Sequence, residues 1–453
     1  MSNLDDVKLN DSDSNSSSSM LLSDEDNVKA PHTSVCRKIV GVILIILGVI
    51  LGFYFSSVAM MGAAGSSKSQ FVGFLVQLII SFGVTCGLSF FGLFLANFFY
   101  PSKMKAFFVS LIIFGVCYII TLSLFLAMFF KPAKKMTEYT NIPSGYWSLS
   151  TGSKIAYYEY GNTINDKYPF ILIHGGPGAP VLGEEHFVHN LSSLGYKSYQ
   201  YDQLGGGKSS RLNNCKKYTL ARQVEDLEEI RKTLGTEKIN IICHSFGGTL
   251  SSNYIAAYPD RVDHCIFVSP GNIWSGDKTI TQLTKAGAKD QQKTLMKNTR
   301  YFLSQALSMM FPPMGLFVMM KEENLDNLFM KFHDDLNMMP GSGSFYNTKG
   351  AGYGFWVNVM TGRDSNKMDS PYDKLSKFTG SAIVIKAQYD YISFDVTAQF
   401  RDLIPNTTLI TINGMGHSIV HEHEDEIWEN IEAFLLTGKT KKDPYTGNKD
   451  PWE

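Results

Sequence analysis

The chain has 453 residues, too long for one ordinary domain, and its formal net charge of -1 gives no general reason to expect nucleic acid as a partner. Aromatic residues make up 13% of it, which suits buried or lipid-facing surface better than a disordered chain. The six cysteines are widely spaced and include no CxxC pair, which argues against a disulfide framework and a structural zinc site.

Residues 1–35 read as a disordered acidic and serine-rich tail, with seven acidic side chains and one Lys among the first 28 residues. A region at 36–131 follows, with three apolar stretches at 39–61, 71–99 and 106–130. None holds a charged residue, and each is long enough to cross a hydrocarbon core of about 30 Å as a helix. The expected protein is therefore multi-pass and its first partner is the lipid bilayer. Flanking Lys29, Arg37, Lys38, Lys103 and Lys105 stand against Lys68, Lys131, Lys134 and Lys135, which leans towards a cytosolic N-terminus. An odd number of spans then places the rest of the chain in the lumen or outside the cell. There the sequons at Asn190 and Asn406 become usable glycosylation candidates.

From residue 141 the pattern changes to short strands alternating with helices. Strands are expected at 146–149, 154–160, 170–173, 197–202, 239–243, 265–268, 382–387 and 408–412. Helices are expected at 220–234, 246–258, 396–403 and 422–436. Such alternation predicts an α/β fold with a mostly parallel sheet covered on both faces, built from 141–270 and 374–440. Residues 271–373 break the alternation and read as a helical cap, with helices at 293–309 and 322–336 and a Met- and Phe-rich segment at 309–320 suited equally to a greasy lid or to the core of the cap. Residues 441–453 form a C-terminal tail.

The chemistry gathers where strands end. His244-Ser245-Phe246-Gly247-Gly248 follows a buried strand and opens a helix, the setting in which a sharp turn lifts a serine above the sheet edge. Cys243 occupies a position usually held by glycine. A serine nucleophile needs a base, and the base needs an orienting carboxylate. Asp390 and His417 follow in that chain order, each just after its own strand. Ser245 is thus the expected nucleophile, His417 the general base and acid, and Asp390 its orienting partner. Oxyanion donors are expected from the N–H of Phe246 and from Gly175 or Gly176 in the turn His174-Gly-Gly-Pro-Gly178. This chemistry calls for no cofactor and no metal.

These motifs, with the run Tyr201-Asp-Gln-Leu-Gly-Gly-Gly-Lys-Ser209, resemble the proline iminopeptidase branch of the α/β-hydrolases over about residues 146–436. The resemblance implies a serine peptidase with a helical cap that releases an N-terminal residue, often proline, from short peptides. Family peptidases hold the substrate ammonium with acidic cap residues. Here Glu322, Glu323, Asp326, Asp334 and Asp335 are candidates by charge. The expected substrate is a short peptide or small acyl compound. Two other readings stay open: a lipase or esterase on membrane-derived esters, and a non-catalytic interaction protein.

Overall fold

Runs of β-branched residues buried on both sides build the centre of a sheet. We describe it from a computed structural model that covers positions 43, 112, 115, 116, 119 and 123 and residues 138–162, 167–181, 185–310, 322–337, 352–418 and 424–453. Strands β3 (Phe170–Ile173), β5 (Ile239–Ser245), β6 (Val262–Pro270) and β7 (Ser381–Ala387) are nearly continuous buried apolar runs. That is the signature of parallel strands covered on both faces. Around them lie β1 (Gly145–Ser148), β2 (Lys154–Tyr160), β4 (Ser198–Tyr201) and β8 (Thr407–Ile412). Their order is β1-β2-β4-β3-β5-β6-β7-β8. The first two ladders, β1 with β2 and β2 with β4, are antiparallel, and those from β4 to β8 are parallel.

Alternation along each strand sorts side chains into two cores. Ile241, Cys243, Val384 and Phe267 face one core, which includes residues of helices α2 (Leu220–Thr233), α3 (Phe246–Ala257) and α9 (Phe394–Leu403). Ile242, Ile383, Ile385 and Ile412 face the other, under α1 (Glu185–Ser193) and α10 (Glu424–Thr437). Each large apolar side chain so buried contributes about 1.5–3 kcal/mol. The parallel ladders point their carboxyl ends the same way, and that edge carries the loops described below.

Between β6 and β7 lie α4 (Lys285–Lys297), α5 (Thr299–Met310), α6 (Glu322–Asn337), α7 (Phe355–Ser365) and the short α8 (Tyr372–Leu375). The single helix expected at 293–309 is two helices. Asn298 breaks it at φ -103°, ψ 53°. Its side chain bonds the Thr294 carbonyl at 3.1 Å and Asp335 at 2.8 Å, so it competes with the helical backbone. Aromatic stacking joins α5 to α6, with Tyr301 4.4 Å from Phe332. Residues 311–321, which hold most of the segment expected as a greasy lid, lie outside the described residues.

The chain divides into two units, Met1–Phe55 with Gly83–Tyr118 and Ser56–Phe82 with Ile119–Glu453. The described residues of the first are Ile43, Ile112, Gly115 and Val116, all helical and exposed. Apart from these and positions 119 and 123, the three stretches expected to span a membrane lie outside the described residues, as does the tail 1–35. Among the described residues no helix is long and apolar enough to cross a membrane. The expected three-helix region therefore has no support from them.

Candidate active site

Ser245 is the last residue of β5 and caps α3. Its backbone sits at φ 53°, ψ -122°, a conformation that an L-residue adopts only at a cost of about 1–3 kcal/mol. The surroundings hold it there. The Gly271 N–H donates to the Ser245 carbonyl at 2.7 Å. A Cβ on Gly247 would stand 2.3 Å from the Ile173 carbonyl oxygen, and one on Gly248 would stand 2.4 Å from the Pro270 Cβ. Helix α3 can pack this close to the sheet only because glycine occupies both positions. Cys243 fits beside the turn because its side chain is buried in the core, with Sγ 3.5 Å from the Ile266 carbonyl oxygen on the next strand.

Asp390 and His417 are brought together from two loops. Asp390 follows β7 and His417 follows β8. His417 Nδ1–H donates to Asp390 Oδ1 at 2.8 Å, and the Ile392 N–H donates to the same oxygen at 3.0 Å. Burial alone would push the Asp390 carboxyl up. The charge of Lys386, then that of His417, and the hydrogen bonds from His417 and the Ile392 N–H outweigh burial and hold it at about 2. His417 and Ser245 both line one cavity. The Tyr391 ring lies 4.3 Å from that of His417, and its phenol interacts with the Ser245 side chain.

The His174 turn is locked to the other signature run. His174 Nδ1–H donates to the Gly175 carbonyl at 2.9 Å, while Nε2 accepts from the Gln203 N–H at 3.3 Å. The Gln203 amide returns a bond to the His174 carbonyl at 2.9 Å. Burial pushes the His174 imidazole below its usual value, in keeping with this neutral tautomer. Gly175 lies against the elbow, where an added Cβ would stand 3.0 Å from the Ser245 Cβ. Gly175, Gly176 and Ser245 line the same cavity, and Phe246 follows Ser245 directly as the first residue of α3.

That cavity measures 330 Å³. Helices of the cap supply Leu295, Tyr301, Phe329, Phe332 and Leu336 to its wall, together with Gln291, Gln305 and His333. Burial, helped by the nearby His417, pushes the His333 imidazole down to about 4. The acidic candidates of the cap have other places. Glu322 and Asp326 pair with Arg211 at 3.1 and 3.0 Å. Burial pushes Asp326 up to about 7 against the pull of that guanidinium. Asp335 takes Lys331 at 2.6 Å and Asn298 at 2.8 Å. Glu323 is exposed, and neither it nor Asp334 lines the cavity. Of the two sequons, Asn190 lies within α1, its side chain 2.8 Å from His186, while Asn406 is exposed at φ 55°.

Sequence reasoning missed Lys386, which sits in an otherwise apolar strand, and Tyr391, which follows Asp390 directly. The signal for Lys386 was present: a lone charge inside a buried run needs a partner, and an acid stands four residues on.

A model of the alpha/beta hydrolase fold matches residues 168–424. Human 1-acylglycerol-3-phosphate O-acyltransferase ABHD5 is 34% identical over 124 residues, which are 27% of this chain and 35% of that protein. The match thus spans about a third of that relative's length. Proline iminopeptidases are among the relatives, as the motifs imply. That of Saccharolobus solfataricus is 24% identical over 311 residues, covering 65% of this chain and 93% of the relative. Among solved structures, an esterase from Exiguobacterium antarcticum has a TM-score of 0.47 at 15% identity, over 65% of this chain and 99% of its own.

Proposed function

The chain belongs to the alpha/beta hydrolase fold family, and we propose that it is a serine hydrolase that removes an uncharged acyl group from an ester or amide. In this reading the Ser245 hydroxyl attacks the carbonyl carbon as its proton passes to His417. Asp390 keeps the imidazole oriented. The N–H groups of Phe246 and of Gly175 or Gly176 receive the oxyanion. His417 then protonates the leaving group, which departs and leaves the acyl group on Ser245. Water, giving its proton to His417, releases the acid and restores the serine.

The observation that carries the substrate class is the wall of the cavity. A substrate ammonium taken out of water needs a carboxylate partner. Every Asp and Glu between residues 271 and 373 is among the described residues, and none lines the cavity. The wall offers aromatic and aliphatic groups with three amides, Gln291, Gln305 and Asn358, and the His333 imidazole, a set without a carboxylate that suits a neutral acyl chain. Aminopeptidase action is the second reading. It is favoured by the alignment with the Saccharolobus solfataricus proline iminopeptidase along 93% of that protein's length.

A substrate panel separates the two. A medium-chain ester is expected to be hydrolysed faster than prolyl or alanyl arylamides. N-acetylation of the arylamides is expected to change their kcat/KM little. A real ammonium site would lose about 2–5 kcal/mol on acetylation, roughly 30-fold or more. A loss of that size restores the peptidase reading.

We further propose that stretches 39–61, 71–99 and 106–130 anchor the enzyme in a bilayer with the hydrolase domain on the lumenal or outer side. Their charge-free length supports this. Protease added to sealed membranes should spare the C-terminal domain. Complete digestion of that domain, with the tail protected, reverses the topology.

A further inference from the structure

Lys386 is 1% exposed, near the end of a strand whose other side chains are small or apolar. Its Nζ donates to the Ile392 carbonyl at 2.8 Å and lies 3.8 Å from Asp390 Oδ2. That carboxylate oxygen is buried, and no hydrogen-bond donor among the described residues reaches it. The other oxygen takes His417 and the Ile392 N–H. Lys386, Asp390 and His417 therefore form a line of charge running inward from the cavity.

An ammonium in such a place is expensive. Burial pushes Lys386 below its usual value, opposed by Asp390 and by Asp450 of the C-terminal segment. A side chain that merely filled this space would not need a charge. Lacking Lys386, the buried Asp390–His417 couple would carry a net negative charge at rest. A proton taken up by either member would then neutralise it, and uptake would be favoured. With Lys386 the resting group is neutral, and the same proton gives a buried net positive charge.

We propose that Lys386 is a positioning residue whose charge keeps the Asp390–His417 couple free of that proton, so that the base stays available at lower pH. The inference rests on the serine-hydrolase reading above. Other groups face the couple as well. Tyr391 follows Asp390, and its ring lies beside His417. His244 comes from β5, its ring 4.8 Å from that of His417 and its Nε2 2.8 Å from the His417 carbonyl oxygen. His333 comes from α6 and lines the same cavity as His417, whose charge helps to lower it. Among the groups named, only Lys386 sets a positive charge against the open side of the carboxylate.

The test uses the full-length protein and the rate of fluorophosphonate labelling as a function of pH, each variant scaled to its own high-pH plateau. Lys386→Gln keeps a donor for the Ile392 carbonyl and removes the charge. Its acid limb is expected to move up by about 1–2 pH units, and that of Lys386→Met by a similar amount. Lys386→Arg keeps the charge and should retain the wild-type limb. A Gln variant with the wild-type limb overturns the proposal, as does a shift seen with Met and not with Gln. Should Gln and Met fail to fold, a shifted limb in the Arg variant overturns it, and an unshifted one upholds it. Failure of the wild-type chain to label at any pH instead removes the serine-hydrolase reading.

Discussion

Ser245→Ala is expected to abolish fluorophosphonate labelling and to lower kcat by roughly 10⁴-fold or more, with no change in thermal unfolding. The size follows from the role. The nucleophile, base and orienting acid act as a unit, so losing the attacking oxygen removes the covalent route. Oxyanion donors and substrate binding remain, and they supply the residual rate. Stability should not move because the strain at φ 53° is a property of the turn and alanine feels it as serine does. Gly247, Gly248 and the Gly271–Ser245 backbone bond hold the turn in either case. The measurement compares labelling, turnover of the best ester from the panel, and the unfolding midpoint. Equal labelling of both proteins would remove Ser245 from the chemistry.

The second large effect is on stability. Asp202 is fully buried and accepts four hydrogen bonds. They come from the Tyr139 hydroxyl at 3.0 Å, the Tyr158 hydroxyl at 2.9 Å, and the backbone N–H groups of Val181 and Lys208, both at 2.9 Å. Burial and the Asp202 charge together push both phenols well above their ordinary range, so they stay donors at any working pH. One carboxylate thus ties the entry of the domain, β2, the end of the glycine turn and the Asp-Gln run to a single point. Asp202→Ala leaves four donors facing a gap. The expected loss is about 3–5 kcal/mol, or about 10 °C in unfolding midpoint. Tyr139→Phe and Tyr158→Phe should each lose about 1 kcal/mol. Calorimetry of the four proteins tests this, and an alanine variant within a degree of wild type would contradict the account.

How much of this was legible depended on whether the signal was local. Strand β3 is Phe170–Ile173, as expected, because four apolar residues stand between Pro169 and His174. Strand β6 runs from Val262 rather than Cys265, because Asp263 and His264 pair with each other at 2.9 Å at the surface and hide the strand's start. Helix α7 carries little local signal: Phe355, Trp356, Val357 and Val359 suit a strand as well. Gly354 sets it in place instead, through its N–H bond to the Gly178 carbonyl at 2.7 Å. The placement of Ser245, Asp390 and His417 at one edge of the sheet was legible because Ser245 ends its strand and the other two each follow theirs. The partners of His174 could not be read, since they depend on which atoms the loops bring within reach.

The C-terminal segment joins this network late. Tyr445 N–H donates to the Leu409 carbonyl at 2.7 Å, Arg401 Nη1 donates to the Gly447 carbonyl at 2.7 Å, and the Trp452 indole N–H donates to the Asn413 side chain at 2.8 Å. Asn413 stands four residues before His417, and Asp450 acts on Lys386. The loop that carries His417 is therefore fastened by a segment that follows Ser245, Asp390 and His417 in the chain. Nascent chains that fold from the N-terminus onward hold an unfinished site until that segment is in place.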